Sequence, residues 1–258
     1  MSRVGAVAWN TFREAVRDRV LYNLVFFALL LIATAILVGQ ISIGIETIVL
    51  ISLGLSAISV IGLLIAVFTG VGLVSKEIEK RTLYALLSKP VRRWEFLAGK
   101  FGGLVLTLTV NTAAMAIGLL LALLYLKHAL QYGDVAVFIA VYFILLKLAI
   151  VVALALLFSC FTSQFLAILF TASLYVAGLF ISQMRNLDGS RVGPAMKVFF
   201  SWVSYALPNF QNFDVMAAAA HGRAIPVALI LHNTLYAMLY CTIVLSAATV
   251  VFSRRNLK

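Results

Sequence analysis

Acidic residues are scarce in this chain, with nine Asp and Glu against twenty Lys and Arg in 258 residues. None of the nine falls inside a long apolar run, so the intramembrane carboxylates that an ion-coupled secondary transporter uses are missing. No convincing internal repeat offers that class of transporter support either. Histidine is equally sparse. His128, His221 and His232 are scattered and make no H-E-x-x-H or other ligand spacing. A membrane-embedded enzyme, such as a lipid-modifying transferase, is the alternative to weigh. It needs clustered Asp, Glu or His at the headgroup level to hold a metal or move protons, and no such cluster is present. Two cysteines, Cys160 and Cys241, lie in or beside apolar runs without a C-x-x-C, and read as small core residues. No G-x-x-x-x-G-K-[ST] occurs. Gly70-Val71-Gly72 is a fragment of a glycine-rich loop at the end of an apolar run, a poor place to cradle phosphate. The chain is therefore expected to bind no metal and no nucleotide cofactor of its own.

What is abundant is apolar surface. Hydrophobic residues make up 64% of the chain and charged residues 11%, against roughly 45–50% and about 25% in soluble domains. A mean hydropathy of +1.09 places the chain in a bilayer and leaves no room for a sizeable soluble domain. The net charge of +11 sits beside the apolar runs, as juxtamembrane anchors do. It points to membrane lipids and not to nucleic acid.

The expected fold is an all-α integral membrane protein with six transmembrane helices, forming a single domain over residues 1–258. Residues 1–19 form an interfacial helix, capped by Ser2. Val4, Ala8, Phe12, Ala15 and Val16 recur on one side of it, with Trp9 beside them. The run after this leader is as long as a full span and no A-x-A site follows, which favours a retained first helix over a cleaved signal. Spans are expected at about 20–38, 48–74, 101–126, 136–159, 165–183 and 227–252. In the second, Ser52, Ser56, Ser59, Gly62, Ala66 and Gly70 share one helical face, so this span should lie tightly against a neighbour. Residues 184–226 form an outer segment. Its stretch Met196–Leu207 is too short to cross and carries Lys197, so it reads as one or two re-entrant or interfacial helices.

Charge sets the orientation. The N-terminal leader, residues 75–100 and the C-terminus hold four, seven and three of the basic residues, fourteen of the twenty. Lys127, Arg185, Arg191, Lys197 and Arg223 lie on the other side. The richer side should be cytoplasmic, with both termini there.

Residues 75–100, SKEIEKRTLYALLSKPVRRWEFLAGK, are the densest polar stretch. Ser75 reads as an N-cap, Glu77 and Glu79 suit a first helical turn, and Pro90 stops a short helix over about 76–88. A second helix starts near Arg92, Arg93 and Trp94 and runs through Gly99 and Lys100 into the third span. Trp94 and the two arginines suit an interface anchor. Twenty-six residues with helix signals are more than a loop between neighbouring spans requires, and a shaped, charged object there implies a docking partner.

The stretch Lys76-Glu77-Ile78-Glu79-Lys80-Arg81-Thr82-Leu83-Tyr84-Ala85-Leu86-Leu87-Ser88-Lys89-Pro90, then Arg92-Arg93 and Gly99-Lys100, resembles the segment after the second helix of ABC transporter permeases of the type 2 exporter class. Leu207-Pro208-Asn209-Phe210 before the last span is also similar to that family. The resemblance implies a cytoplasmic coupling helix that sits in a groove of a separate ABC ATPase subunit, which uses ATP and Mg. It implies export from the cell across the inner (plasma) membrane and a second permease chain, forming a dimer. Carried onto this chain, Glu77, Glu79, Arg81, Thr82, Leu83 and Leu86 would contact the ATPase. Pro90, Arg92, Arg93, Trp94, Gly99 and Lys100 would anchor the hinge.

Two polar residues lie within spans. Lys147, in the fourth, costs about 2.5–3.5 kcal/mol to insert. It either faces a pathway or partner, or is a structural lysine satisfied locally. Asn111, in the third, either shares a polar cavity with it or bridges helices. His232 and Asn233 suit interhelical hydrogen bonds, and Asp188, Asp214 and Arg223 suit a solvated surface.

Overall fold

Apolar runs that enter lipid must satisfy every backbone group internally, and the helix does this within one segment. The computed structural model describes residues 3–17, 19–41, 44–79, 92–127, 132–185 and 207–254, and among them all regular structure is helical. The helices are α1 (Arg3–Val16), α2 (Arg19–Ile41), α3 (Glu46–Glu79), α4 (Arg93–Lys127), α5 (Val135–Ser159), α6 (Gln164–Arg185), α7 (Met216–Ala220) and α8 (Val227–Arg254). Single 3-10 turns cover Tyr132–Asp134 and Phe210–Phe213. The chain is an all-α integral membrane protein.

Five of these helices, α3, α4, α5, α6 and α8, carry an apolar stretch long enough to cross a bilayer. In α2 that stretch is shorter, Leu24–Gly39. The whole of α2 has 23 residues, about 34 Å at 1.5 Å per residue, against about 30 Å of hydrocarbon. Its whole length thus matches what the expected sixth span requires.

Helix α5 is the hub, packing on α3, α4, α6 and α8. Its residues from Ile150 to Leu156 are all buried, which is why its sequence shows no polar face. The small-residue face of α3 meets this hub. A Cβ on Gly62 would lie 2.6 Å from Leu148 Cδ1, and one on Gly70 would lie 3.0 Å from Ala155 Cβ. Close approach of this kind supplies dispersion contacts where lipid removes the hydrophobic drive.

One expectation needs correction. The helix break at Ser75 does not occur, because α3 runs unbroken through Ser75 to Glu79. Its 34 residues make a rod of roughly 51 Å, about 20 Å longer than the hydrocarbon is thick. Nothing there forces an end, since no proline follows the apolar part until Pro90 and continuing the ladder outweighs one serine cap. The short helices of the outer segment that are described are Phe210–Phe213 and Met216–Ala220, both after Pro208. The stretch 196–206, where one or two re-entrant helices are expected, lies with residues 80–91 outside the described residues.

Candidate functional site

At the basic end, three helices are fastened together. Helix α4 begins with half of a capping box: the Arg92 N–H donates to Glu95 Oε2 at 2.8 Å, satisfying a donor the helix leaves open. Arg93 then reaches α8. Its Nη1 donates to the carbonyls of Phe252 and Ser253, both at 2.7 Å, among the last acceptors of α8. The guanidinium lies 5.7 Å from the Phe252 ring centroid, and Phe252 stacks with Phe96.

One turn on, Gly99 and Gly103 form a flat strip that receives α1. A Cβ on Gly99 would meet Val7 Cβ at 2.6 Å, and one on Gly103 would meet the Ala8 carbonyl oxygen at 2.5 Å and Thr11 Cβ at 2.6 Å. Thus the small-xxx-small pair at the start of the third span packs the surface helix. The stripe of α1 in the seam includes Val4, Val7, Ala8 and Thr11. It is rotated from the stripe expected through Phe12 and Val16, and Trp9 stays half exposed. Lys100, 1% exposed, closes the seam with Glu14 at 3.7 Å and lies 5.8 Å from the Phe96 ring. Because Glu14 is itself well exposed, this pair orients the helices more than it stabilises them.

Of the residues expected to dock the partner, Glu77 and Glu79 lie in the last turns of α3. Arg81, Thr82, Leu83, Leu86 and Pro90 lie outside the described residues. Of the anchor set, Arg92 immediately precedes α4, and Arg93, Trp94, Gly99 and Lys100 sit in its first turns, with Trp94 about half exposed.

The second polar constellation lies inside the bundle. Lys147 is 5% exposed, and its Nζ donates to Ser59 Oγ of α3 at 2.7 Å. The ammonium is 6.0 Å from the Tyr175 ring of α6. Three helices therefore converge on one charge. Asn111 is buried in α4, with its Nδ2 unpaired among the described residues. Lys147 takes Ser59 as its hydrogen-bond partner, and no hydrogen bond joins it to Asn111 among the described residues.

The outer segment enters the bundle. Phe210 packs on Gly178, with its ring 5.0 Å from that of Tyr175, and Phe213 meets Phe143 edge-on. Asn209 Oδ1 accepts from the Gln211 N–H, and the Asn209 N–H donates to Tyr236 Oη at 3.1 Å. Asn233 Nδ2 donates to the Asn212 carbonyl at 2.8 Å, so this bond joins α8 to the cap, while His232 is exposed. Asp214 and Arg223 are exposed, as a surface role requires.

Sequence reasoning missed Tyr175 and the pair of Lys127 with Asp134 at 2.6 Å. Asp134 is buried at the head of α5, and its seven-residue spacing from Lys127 across a turn was the available signal. A tyrosine among apolar residues gave none.

The family model described as ABC-2 family transporter protein matches residues 5–257, nearly the whole chain. No curated protein matches it.

Proposed function

The chain belongs to the ABC-2 transporter family, and we propose that it is the permease subunit of an exporter driven by ATP hydrolysis in a separate subunit. Membership makes it a membrane-embedded transport component and implies an ABC ATPase partner. In this reading residues 75–100 form the coupling segment, with Glu77, Glu79, Arg81, Thr82, Leu83 and Leu86 in the ATPase groove. The ATP and Mg belong to that partner. Two permease chains form the pathway in the inner (plasma) membrane, with both termini in the cytoplasm. Residues 1–258 act as one transmembrane domain.

The observation that supports this best is the fastening at the basic end. A push on residues 80–91 has two exits. One is the unbroken rod of α3, which packs along the buried hub α5. The other is the start of α4, tied to α1 through Gly99 and Gly103 and to α8 through Arg93. A passive loop needs no such attachments. A rigid input to several spans at once does, because packed helices shift between discrete arrangements and do not deform smoothly.

The test is charge reversal of the docking helix. With permease and ATPase co-reconstituted in vesicles, Glu79→Lys combined with Arg81→Glu should abolish ATP-driven transport. Membrane insertion and thermal stability should stay at the level of the parent. Transport at the parent's rate would remove the docking role.

A further inference from the structure

A lateral groove opens between α4, α5 and α8, with a volume of about 280 Å³. Phe101 and Val105 form one wall, Ala149 the floor, and Met238, Cys241 and Leu245 the other wall. Thr242 is the polar hydroxyl in the lining, and it donates to the Met238 carbonyl at 2.7 Å. The groove therefore offers no free hydroxyl and suits hydrocarbon. Its volume falls just below that of small-molecule pockets, which run roughly 300–1,000 Å³. That is space for a chain and not for a bulky ligand. Met238 is 64% exposed, so the groove is open on the side that faces lipid.

What distinguishes this groove is the charge at its basic end. Arg93 is eight residues before Phe101 on α4, and Phe252 is seven after Leu245 on α8, about 12 Å and about 10 Å along the two helices. Those two ends are held together by Arg93 itself. Arg92 beside it is exposed, and Trp94 is an exposed aromatic at the same level. Glu95 has one carboxylate oxygen committed to the Arg92 N–H. A cationic, aromatic-edged rim thus stands over an apolar slot. Their separation is within one leaflet, roughly half of the 40–45 Å total bilayer thickness.

We propose that this groove is a binding site for an anionic phospholipid of the adjacent leaflet, with an acyl chain between α4, α5 and α8 and the phosphate at Arg92 and Arg93. Basic sites between membrane helices recognise anionic headgroups electrostatically. A lipid here would brace the α4–α8 junction. The inference holds whichever substrate the transporter moves.

The experiment titrates dioleoylphosphatidylglycerol or dioleoylphosphatidylcholine into the purified full-length chain in neutral detergent. It reads the thermal midpoint, with retained lipids counted by native mass spectrometry. The anionic lipid should bind about fivefold or more tighter than the zwitterionic one. Arg92→Gln should lose about that factor for the anionic lipid alone. Ala149→Phe and Met238→Trp, which fill the groove from its floor and its exposed rim, should weaken both lipids. Equal affinity for the two lipids in the parent chain would overturn headgroup recognition, as would an unchanged Arg92→Gln. Parent-like binding of both lipids by both filling variants would overturn the groove as the chain site.

Discussion

Lys147→Met separates what the buried ammonium contributes to stability from what it contributes to transport. The substitution keeps a long unbranched side chain and removes the charge. It deletes the bond to Ser59 Oγ, and hydrogen bonds to charged groups contribute about 1.5–3 kcal/mol. It also deletes the contact with the Tyr175 ring at 6.0 Å, which contributes about 0.5–2 kcal/mol. Against these stands the cost of holding a lysine at the helix centre, about 2.5–3.5 kcal/mol. Without the ammonium, the Ser59 hydroxyl can turn back to a carbonyl of its own helix, as Thr69 does with Ile65. The net change should stay within about 2 kcal/mol of zero, because a buried charge and its partners largely offset each other. Lys147→Ala keeps the same electrostatic change but opens a cavity, and should cost about 2–5 kcal/mol. Reversible unfolding in mixed detergent–SDS micelles measures both. A methionine variant as unstable as the alanine variant would refute the offset. Transport by the methionine variant then locates the role. A tenfold fall at unchanged stability assigns the ammonium to the working cycle, and parent-like transport leaves it as a packing residue.

Gly103→Leu should be costlier than most surface-helix substitutions, since the added Cβ meets the Ala8 carbonyl oxygen at 2.5 Å. A backbone atom cannot yield without moving α1, so we expect the upper part of the 1–3 kcal/mol overpacking range. A lowered thermal midpoint and faster protease cleavage within α1 would report it. Gly62→Ala should cost less, because its clash is with the end of the Leu148 side chain at 2.6 Å. In a double-mutant cycle Leu148→Ala should recover at least about 0.5 kcal/mol of that cost, and additive effects would deny the contact. In a background lacking Cys160 and Cys241, both buried, a cysteine at position 85 should be labelled by impermeant reagent only from the cytoplasm. One at position 190 should be labelled only from outside, and the reverse pattern would invert the topology.

Membership of the bilayer, the all-helical fold and the start of α4 were legible because they depend on composition and local signals. A charge-free run of span length has one way to satisfy its backbone, and Pro90 sets off a new helix starting near Arg92 from sequence alone. The small face of α3 announced close packing but not its partner, since Gly62 and Gly70 could have met any helix. The Gly99–Gly103 pair is another such case. Its spacing permits close approach of any helix, and its partner is the surface helix α1. Ser75 was misread because a capping residue is permitted inside a helix as well as at its start. Only the continuity of the hydrogen-bond ladder decides between them.

The sequence by itself determined the solvent of this protein and how its backbone must fold there. Hydrophobicity and charge act over a few residues, and the bilayer imposes the length of each helix. Which residues share the basic end is different in kind. Arg93 ties to the α8 terminus 159 residues away, and Lys147 to Ser59 across 88. No local rule relates residues so far apart, because their meeting depends on how the helices pack on α5 and on one another. Only the tertiary structure turned residues 92–100 from a basic stretch into a junction of three helices.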